Sequence, residues 1–372
     1  MRLLLGALQQ RNEGAVMETT ATFKNGSVKL PAFFPDGTRG VVKSVSTKDL
    51  TDCGVEGIVM NSFHLMTKPG AATIKALGGL HGFTGWQRPI IIDSGGFQVF
   101  SLIGENKKFG EIRQNGIIFK NEGKKTILTP EKCVQTGLSY GADVIMALDY
   151  CTHPSDSVEI QEKAVDRTIN WGKACMDEYK KFVGNKSQLF GIIQGGNCKK
   201  LRKKCADELI GMGYGNFGFG GWPLDEEGTL MEEILAYTAE LMPTGSIKYA
   251  MGIGKPENIV ACVKMGYNLF DCVIPTREAR RGRLYVLNGE DVYGGKKFYS
   301  YHYILDEKHR RSKEPVCPLC DCYTCINYSK GYLRHLASLG DGLANRLATI
   351  HNLRFFTKLM DELRGVYESV TR

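Results

Sequence analysis

The chain has 372 residues, 42% of them hydrophobic, and a formal net charge of +8. That length exceeds the roughly 250 residues of one β/α barrel and leaves room for appendages. No apolar run approaches the ~18 residues of a membrane span; the start Met1-Arg2-Leu3-Leu4-Leu5-Gly6 is too short for a leader and is interrupted by Gln9-Gln10-Arg11, so a cytoplasmic protein without a membrane partner is expected.

Residues 18–38 alternate apolar and polar around Asn25-Gly26 and close on Pro35-Asp36-Gly37. Asn-Gly between alternating runs signals a hairpin, so residues 1–40 read as an N-terminal antiparallel hairpin lid. Eight short apolar runs follow, each ending on a polar or glycine-rich signature. The first is Val41–Val45. Ile58–Met60 leads into Asn61, Ile90–Ile92 into Asp93, Val144–Leu148 into Asp149 and Leu189–Ile193 into Gln194. Phe217–Phe219 leads into Gly220, Tyr249–Met251 into Gly252 and Asn268–Phe270 into Asp271. Buried parallel strands read as continuous apolar runs separated by helical crossovers. The expectation is an α/β fold, a (β/α)8 TIM barrel over residues 41–282. The gap from Asp93 to Asp149 is too long for one helix and must hold an inserted element. Residues 283–316, rich in Gly and Tyr, read as short strands and loops. Helix patterning returns at Ser329, with Tyr332, Leu336 and Leu339 on one face, so residues 283–372 form a C-terminal subdomain.

Barrel chemistry sits at the C-terminal ends of the strands, and the polar residues fall there. A lone Asp after a strand commonly caps the next helix. Asp93, Asp149 and Asp271 together, with Asn61 and Gln194, converge on one mouth. Two carboxylates about one sugar carbon suit a retaining displacement, one attacking and one shuttling the proton. Asp149 and Gln194 can read a planar heterocycle, the carboxylate accepting N–H groups and the amide donating to a carbonyl. Gly220-Gly221 and Gly252-Ile253-Gly254 allow close backbone approach, which suits a base or a phosphate equally.

Of twelve cysteines, eight are scattered and sit mostly among apolar neighbours, as buried hydrophobes do. The other four form Cys317-x2-Cys320-x-Cys322-x2-Cys325, followed by His335 and His351. Such spacing delivers thiolates to a tetrahedral Zn²⁺, and four protein ligands make a closed, structural site. Three cysteines plus one histidine is one ligand set; all four cysteines is another. Between Arg277 and Lys313 stand ten Lys or Arg against five Asp or Glu, placing +5 of the charge in 37 residues. This concentration points to a polyanion such as nucleic acid; a solvated surface face is the competing reading.

Several segments resemble the tRNA-guanine transglycosylase (queuine tRNA-ribosyltransferase) family, bacterial type: Asp93-Ser94-Gly95-Gly96-Phe97-Gln98-Val99, Gly252-Ile253-Gly254-Lys255-Pro256, Phe270-Asp271-Cys272-Val273-Ile274-Pro275-Thr276-Arg277 and Cys320-Asp321-Cys322-Tyr323-Thr324-Cys325. The likeness runs from about residue 14 to the last helix. It implies exchange of guanine at the wobble position of a tRNA anticodon loop for a 7-deazaguanine, either 7-aminomethyl-7-deazaguanine or queuine. Asp271 then matches the nucleophile at the ribose anomeric carbon and Asp93 the general acid/base. Ser94, Gly95, Gly96, Asp149, Gln194 and Gly221 belong to the base site, Phe97 and Met251 stack on the base, and Asn61 supports the aspartates. Gly252, Ile253, Gly254, Lys255, Pro256, Glu257 and Asn258, with Thr276, Arg277, Glu278, Ala279 and Arg280, match RNA-contacting segments. Cys320, Cys322, Cys325 and His351 match the zinc ligands, leaving Cys317 as an extra thiol. The resemblance also implies a homodimer. After the paired glycines the bacterial family usually has Leu-small-Val-Gly-Glu, whereas Trp222-Pro223-Leu224-Asp225-Glu226 stands here. Two rivals remain: a non-catalytic zinc-containing tRNA-binding subunit, and a sugar-phosphate barrel enzyme.

Overall fold

The Asn25-Gly26 signal yields the expected turn, joining β1 (Thr20–Phe23) and β2 (Gly26–Lys29) as an antiparallel pair with Phe23 opposite Gly26. The computed structural model describes residues 19–370 apart from 107, 122, 123, 154, 290, 295 and 296. The apolar start that was read as too short for a leader lies outside the described residues.

β3 (Ala32–Pro35), β4 (Ile58–Asn61) and β5 (Ile90–Asp93) open the barrel. The inserted element is a separate antiparallel sheet of β6 (Gly110–Arg113), β7 (Gly116–Asn121) and β8 (Lys124–Leu128). β9 (Val144–Met146), β10 (Gln188–Ile193), β11 (Phe217–Phe219), β12 (Lys248–Ala250) and β13 (Leu269–Cys272) complete it. The eight strands run β3-β13-β12-β11-β10-β9-β5-β4, all paired in parallel. A parallel bridge from Asp36 to Val59 closes the circle, with the Gly37 N–H donating to the Val59 carbonyl at 2.7 Å.

The first strand is a correction. Val41–Val45 is not a strand: Val41 is half exposed and Ser44 takes a left-handed φ of 72°, and Lys43-Ser44 interrupts the apolar run. Ala32–Pro35, expected within the hairpin lid, instead pairs with β13, its Phe33 and Phe34 buried. Every other expected strand forms. The hairpin caps the lower end of the barrel, away from its mouth. Ala21, Phe23, Val28 and Leu30 join the interior cluster, and the Asn25 N–H and side-chain amide donate to Asp143, just before β9, at 2.7 and 3.1 Å.

Alternation decides which side chains reach the mouth, because successive residues of a strand face opposite sides. Phe34, Val59, Ile91, Val144, Met146, Phe190, Ile192, Tyr249 and Leu269 fill the interior. Phe33, Ile58, Met60, Ile90, Ile92, Ile145, Leu189, Ile193 and Phe270 pack outward beneath the helices. Counting two residues beyond Val59, Ile91, Ile192, Tyr249 and Leu269 gives Asn61, Asp93, Gln194, Met251 and Asp271.

After β13 comes helix Ile274–Arg280, then an antiparallel pair of β14 (Arg283–Leu287) and β15 (Tyr299–Tyr303). Helix Lys330–Ser338 is capped by Ser329 and buries Leu333 and Leu336, while Tyr332 and Leu339 of the expected face lie exposed. The last helix, Gly342–Val370, lies along β3 and β14. Phe33 meets Phe356 at 4.7 Å between centroids, and Arg346 forks onto Asp49 at 2.6 and 3.1 Å. Among the described residues, no helix is long and apolar enough to cross a membrane.

Candidate active site and metal centre

Asp93, Asp149 and Asp271 come from three strand ends into one mouth, and burial pushes the carboxyl of each up to about 6. The Asp149 charge adds to the rise at Asp93, and the charges of Asp36 and Asp93 add to that at Asp271. Fixed donors restrain these rises. The Asn61 amide donates to Asp93 Oδ2 at 2.8 Å while its Oδ1 accepts the His64 N–H at 3.3 Å, so one side chain caps a helix and holds the aspartate. Gln194 Nε2 donates to Asp149 Oδ2 at 2.6 Å. Tyr249 Oη and the Gly252 N–H donate to Asp271 Oδ1 at 2.7 and 2.8 Å. Both of those bonds fall on Oδ1, so neither engages Oδ2. The Gly252 N–H, one of the donors a phosphate would need, is thereby committed to Asp271.

The glycines shape the floor. A Cβ on Gly220 would stand 2.6 Å from Ile192 Cγ2 and 2.7 Å from Gln194 Cδ, so a larger residue would displace the amide. Gly95 holds φ +80°, and a Cβ there would stand 2.8 Å from the Phe63 backbone nitrogen, a place no side chain fits. Ser94 is buried, its carbonyl accepting from Ser62 Oγ and its Oγ from the Gly96 N–H. Gly221 takes φ +92° beside Gln194 Oε1, a buried acceptor without a partner. An unpaired buried acceptor is costly and marks where a ligand N–H would bond. Met251 lies against Gly218 inside the mouth. Phe97 stands 39% exposed at the rim, edge-on to Trp222 at 5.8 Å, and His153 meets the same indole at 5.5 Å. Trp222 thus walls the side where the loop departs from the family pattern.

Three residues of this site escaped the sequence reading. Tyr249 is an interior strand residue whose hydroxyl serves Asp271. Gln98 adds a hydrogen bond to Asp93. Arg202, fully buried, donates to the carbonyls of Ile193 at 2.6 Å and Gly196 at 3.0 Å and lies 4.0 Å over Phe219. It clamps the loop that carries Gln194. Its helix opens Lys199-Lys200-Leu201-Arg202-Lys203-Lys204, a run that reads as solvated; the only clue is Ala206 and Leu209 on the same face.

The two flanking segments divide by exposure. Lys255, Gly252 and Glu257 are exposed, and Asn258, Arg277 and Arg280 partly so. Ile253, Gly254, Pro256, Thr276, Glu278 and Ala279 are buried. Gly254 packs so closely on Cys272 that a Cβ would stand 2.3 Å from it. Glu257 accepts from Tyr299 Oη at 2.7 Å, and Glu278 pairs with Arg283 and Arg277. Arg280 Nη1 is buried without a partner.

Cys320, Cys322, Cys325 and His351 bring their ligand atoms within 4.8 Å of one another, a group that could hold a metal ion. Nε2 of His351 lies 2.6 Å from the Tyr285 carbonyl and so donates to it, leaving the Nδ1 lone pair toward the thiols, 3.2 Å from Cys325 Sγ. Hydrogen bonds from the Cys320 and Cys325 thiols and from the Cys325 and Thr324 N–H groups lower the Cys322 thiol, while the same shared bonds raise that of Cys325, so the cluster as a set favours one thiolate. Cys317 stands apart near the Leu287 carbonyl, and His335 faces solvent.

A family model described as queuine tRNA-ribosyltransferase matches residues 17–368. Curated relatives bearing that name include one from Psychrobacter sp. (strain PRwf-1), 41% identical over 96% of this chain and 91% of its own length. Another from Haemophilus influenzae (strain Rd) is 40% identical over 92% and 86%, and one from Shewanella sediminis is 39% identical over 96% and 92%.

Proposed function

The chain belongs to the queuine tRNA-ribosyltransferase family, and on that premise we propose how its residues carry out guanine exchange in tRNA during queuosine modification. The observation that carries the reading is the bonding of Asp271: two donors hold Oδ1 and leave Oδ2 to attack. Oδ2 forms a bond to the ribose C1′ of the wobble guanosine as the C1′–N9 bond breaks, giving a ribosyl-aspartyl ester. An oxocarbenium-like transition state is stabilised by a carboxylate beneath the sugar. Asp93 gives its proton to the departing guanine and takes one from the entering base, whose nitrogen attacks C1′ and releases Asp271. A carboxyl near 6 suits both directions close to neutral pH.

The base lies between Phe97 and Met251. Its N–H edge donates to Asp149 and to the orphaned Gln194 Oε1, because the Gln194 amide N–H expected to meet a base carbonyl is instead bonded to Asp149, while the Gly221 backbone approaches its rim, over the Ser94-Gly95-Gly96 turn. Lys255, Arg277 and Arg280 meet phosphate, and the buried members of both segments hold those side chains in place. The entering base is 7-aminomethyl-7-deazaguanine, with queuine the alternative that the Trp222-Pro223-Leu224 loop must discriminate. A non-catalytic subunit would have no use for three buried carboxylates kept at an energetic cost. The Cys320, Cys322, Cys325 and His351 donors fit one structural Zn²⁺, since three soft thiolates and one imidazole suit a tetrahedral site. The working form is a homodimer; a groove of about 580 Å³ beside the thiol cluster, lined by Ile326, Tyr328 and Tyr332 together with Lys313 and Asn327, offers a mixed apolar and polar face for a second copy. The protein acts in the cytoplasm, where tRNA is modified.

Asp271→Ala should abolish incorporation of labelled guanine into tRNA while the melting curve stays cooperative. Exchange at the wild-type rate, or a trapped RNA adduct on any other side chain, removes the assignment.

A further inference from the structure

Building on the exchange reaction proposed above, we infer that the outward face of β15, with Arg283 of β14, is a stacking platform for the unpaired loop nucleotides flanking the exchanged guanosine. The strand alternates in a way a solvated hairpin has no reason to. His302 is buried, while Tyr301 and Tyr303 stand 39% and 47% exposed on the opposite face. The rings form a ladder rooted in the core. Phe355 stacks on Tyr285 at 5.1 Å, Tyr285 meets Tyr301 at 5.2 Å, and Tyr301 meets Tyr303 at 6.4 Å. They are therefore ordered before a ligand arrives, and little entropy is lost on binding. The Arg283 guanidinium lies 4.9 Å over the Tyr301 ring and is held there by Glu278.

The platform is tied to both segments at the mouth. Arg283 comes just after the helix that Asp271's strand leads into. Tyr299 Oη bonds Glu257 in the first turn of the helix that Lys255 caps. Exposed aromatic rings beside cations recognise single-stranded nucleic acid, because every base has a π-face to stack and every linkage a phosphate to pair. The cations are present: Lys255, Arg277, Arg281 and Arg280, whose Nη1 is buried without a partner. The same charge argues against a second copy of the chain here, since like-charged basic faces repel.

The test compares wild type, Tyr301→Ala/Tyr303→Ala and Tyr301→Phe/Tyr303→Phe in guanine exchange on an anticodon stem-loop carrying 2-aminopurine next to the exchanged guanosine. Loss of both rings should raise KM for the RNA by at least the worth of one stacked base, roughly 5- to 150-fold, and abolish quenching of the 2-aminopurine, with kcat and KM for free guanine little changed. The phenylalanine pair should keep most of the RNA affinity, because stacking needs the ring; a small residual loss reports the Tyr303 hydroxyl's bond to Arg283. Tyr303→Ala alone, the more exposed ring, gives a smaller effect in the same direction and serves if the double variant misfolds. An unchanged RNA KM in the alanine variants overturns the platform. So does a change in oligomeric mass at unchanged RNA KM, which would make the face a protein interface. A wild-type enzyme that exchanges no guanine overturns the reaction itself, and the platform with it.

Discussion

Asp149→Asn should stabilise the fold at neutral pH while disabling base recognition. Burial raises the Asp149 carboxyl from its ordinary 3.8 to about 6, a difference of about two units, or about 3 kcal/mol between its protonated and ionised forms. A carboxyl raised on folding contributes stability that is complete below about 4 and is lost as pH rises through about 6. A neutral amide escapes that loss. The variant's advantage over wild type should therefore grow from about 1–2 kcal/mol at pH 5 to about 3 kcal/mol at pH 8. For a chain of this length those values correspond to roughly 2 °C and 4 °C in Tm. An amide at this position can accept from Gln194 Nε2 as the carboxylate does; the cost of its NH2 group, which replaces the oxygen bonded by the Asp149 N–H, is the same at every pH, so the pH dependence of the difference carries the test. Melting curves of both proteins across pH 5 to 8, without RNA, read the difference directly. A Tm difference that is flat or shrinks as pH rises refutes the argument that burial sets this carboxyl. In the exchange assay the same variant should raise KM for the base about 10- to 150-fold, the worth of a hydrogen bond to a charged acceptor.

The rate itself should fall as pH drops below about 6, because the ionised forms of Asp149 and Asp271 are the ones that accept and attack. Two groups titrating together give a limb steeper than one proton, and kcat/KM that holds level to pH 5 would contradict it. Elemental analysis should find one Zn²⁺ per chain. Cys325→Ala should lose it, lower stability by more than about 3 kcal/mol and expose the segment around Cys317–Asn327 to protease while the barrel resists. Gly220→Ala, whose Cβ would stand 2.7 Å from Gln194 Cδ, should raise KM for the base at least about tenfold and cost about 1–3 kcal/mol of stability.

Much of this site was legible because barrel strands are short, apolar on both faces and punctuated by the polar residues they present. The parity of Asp93, Asp271, Gln194 and Asn61 with interior residues such as Ile91 and Leu269 is a sequence property, so their convergence could be read before any coordinates. The candidate metal ligands were readable as a cluster, though spacing left three cysteines plus histidine and four cysteines open; the fold gathers the ligand atoms of the former set within 4.8 Å of one another and leaves Cys317 apart. Ala32–Pro35 was missed because four residues, ending in proline and abutting a hairpin, carry too little pattern to outweigh Val41–Val45. Arg202 was hidden for another reason. A buried cation within a lysine run looks like its solvated neighbours, and only the packing of Ala206 and Leu209 shows which way it faces.

The two ends of the barrel are built to opposite specifications. At the lower end burial would raise the Asp143 carboxyl, but bonds from His81, Ile90 and Asn25 outweigh it and hold the group below its usual range. Both oxygens of that carboxylate are matched, and the hairpin adds Phe23, Val28 and Leu30 to the interior. At the upper end three carboxylates stay buried against their preference, and Gln194 Oε1 and Arg280 Nη1 go without partners. An unmatched mouth is tolerable only on a rigid frame, since each unpaired buried group costs roughly 1–3 kcal/mol. The last helix supplies part of that frame, fixing β3 through Phe356 and the start of β14 through Asn352, which bonds Tyr285, Arg283 and Pro275. Asn352 thus ties the segment after Asp271 to the helix that also carries His351. If the thiol cluster holds a metal, its removal should loosen that helix and with it the segment bearing Arg277 and Arg280, so the proposed structural site and the proposed RNA contacts are coupled through one helix.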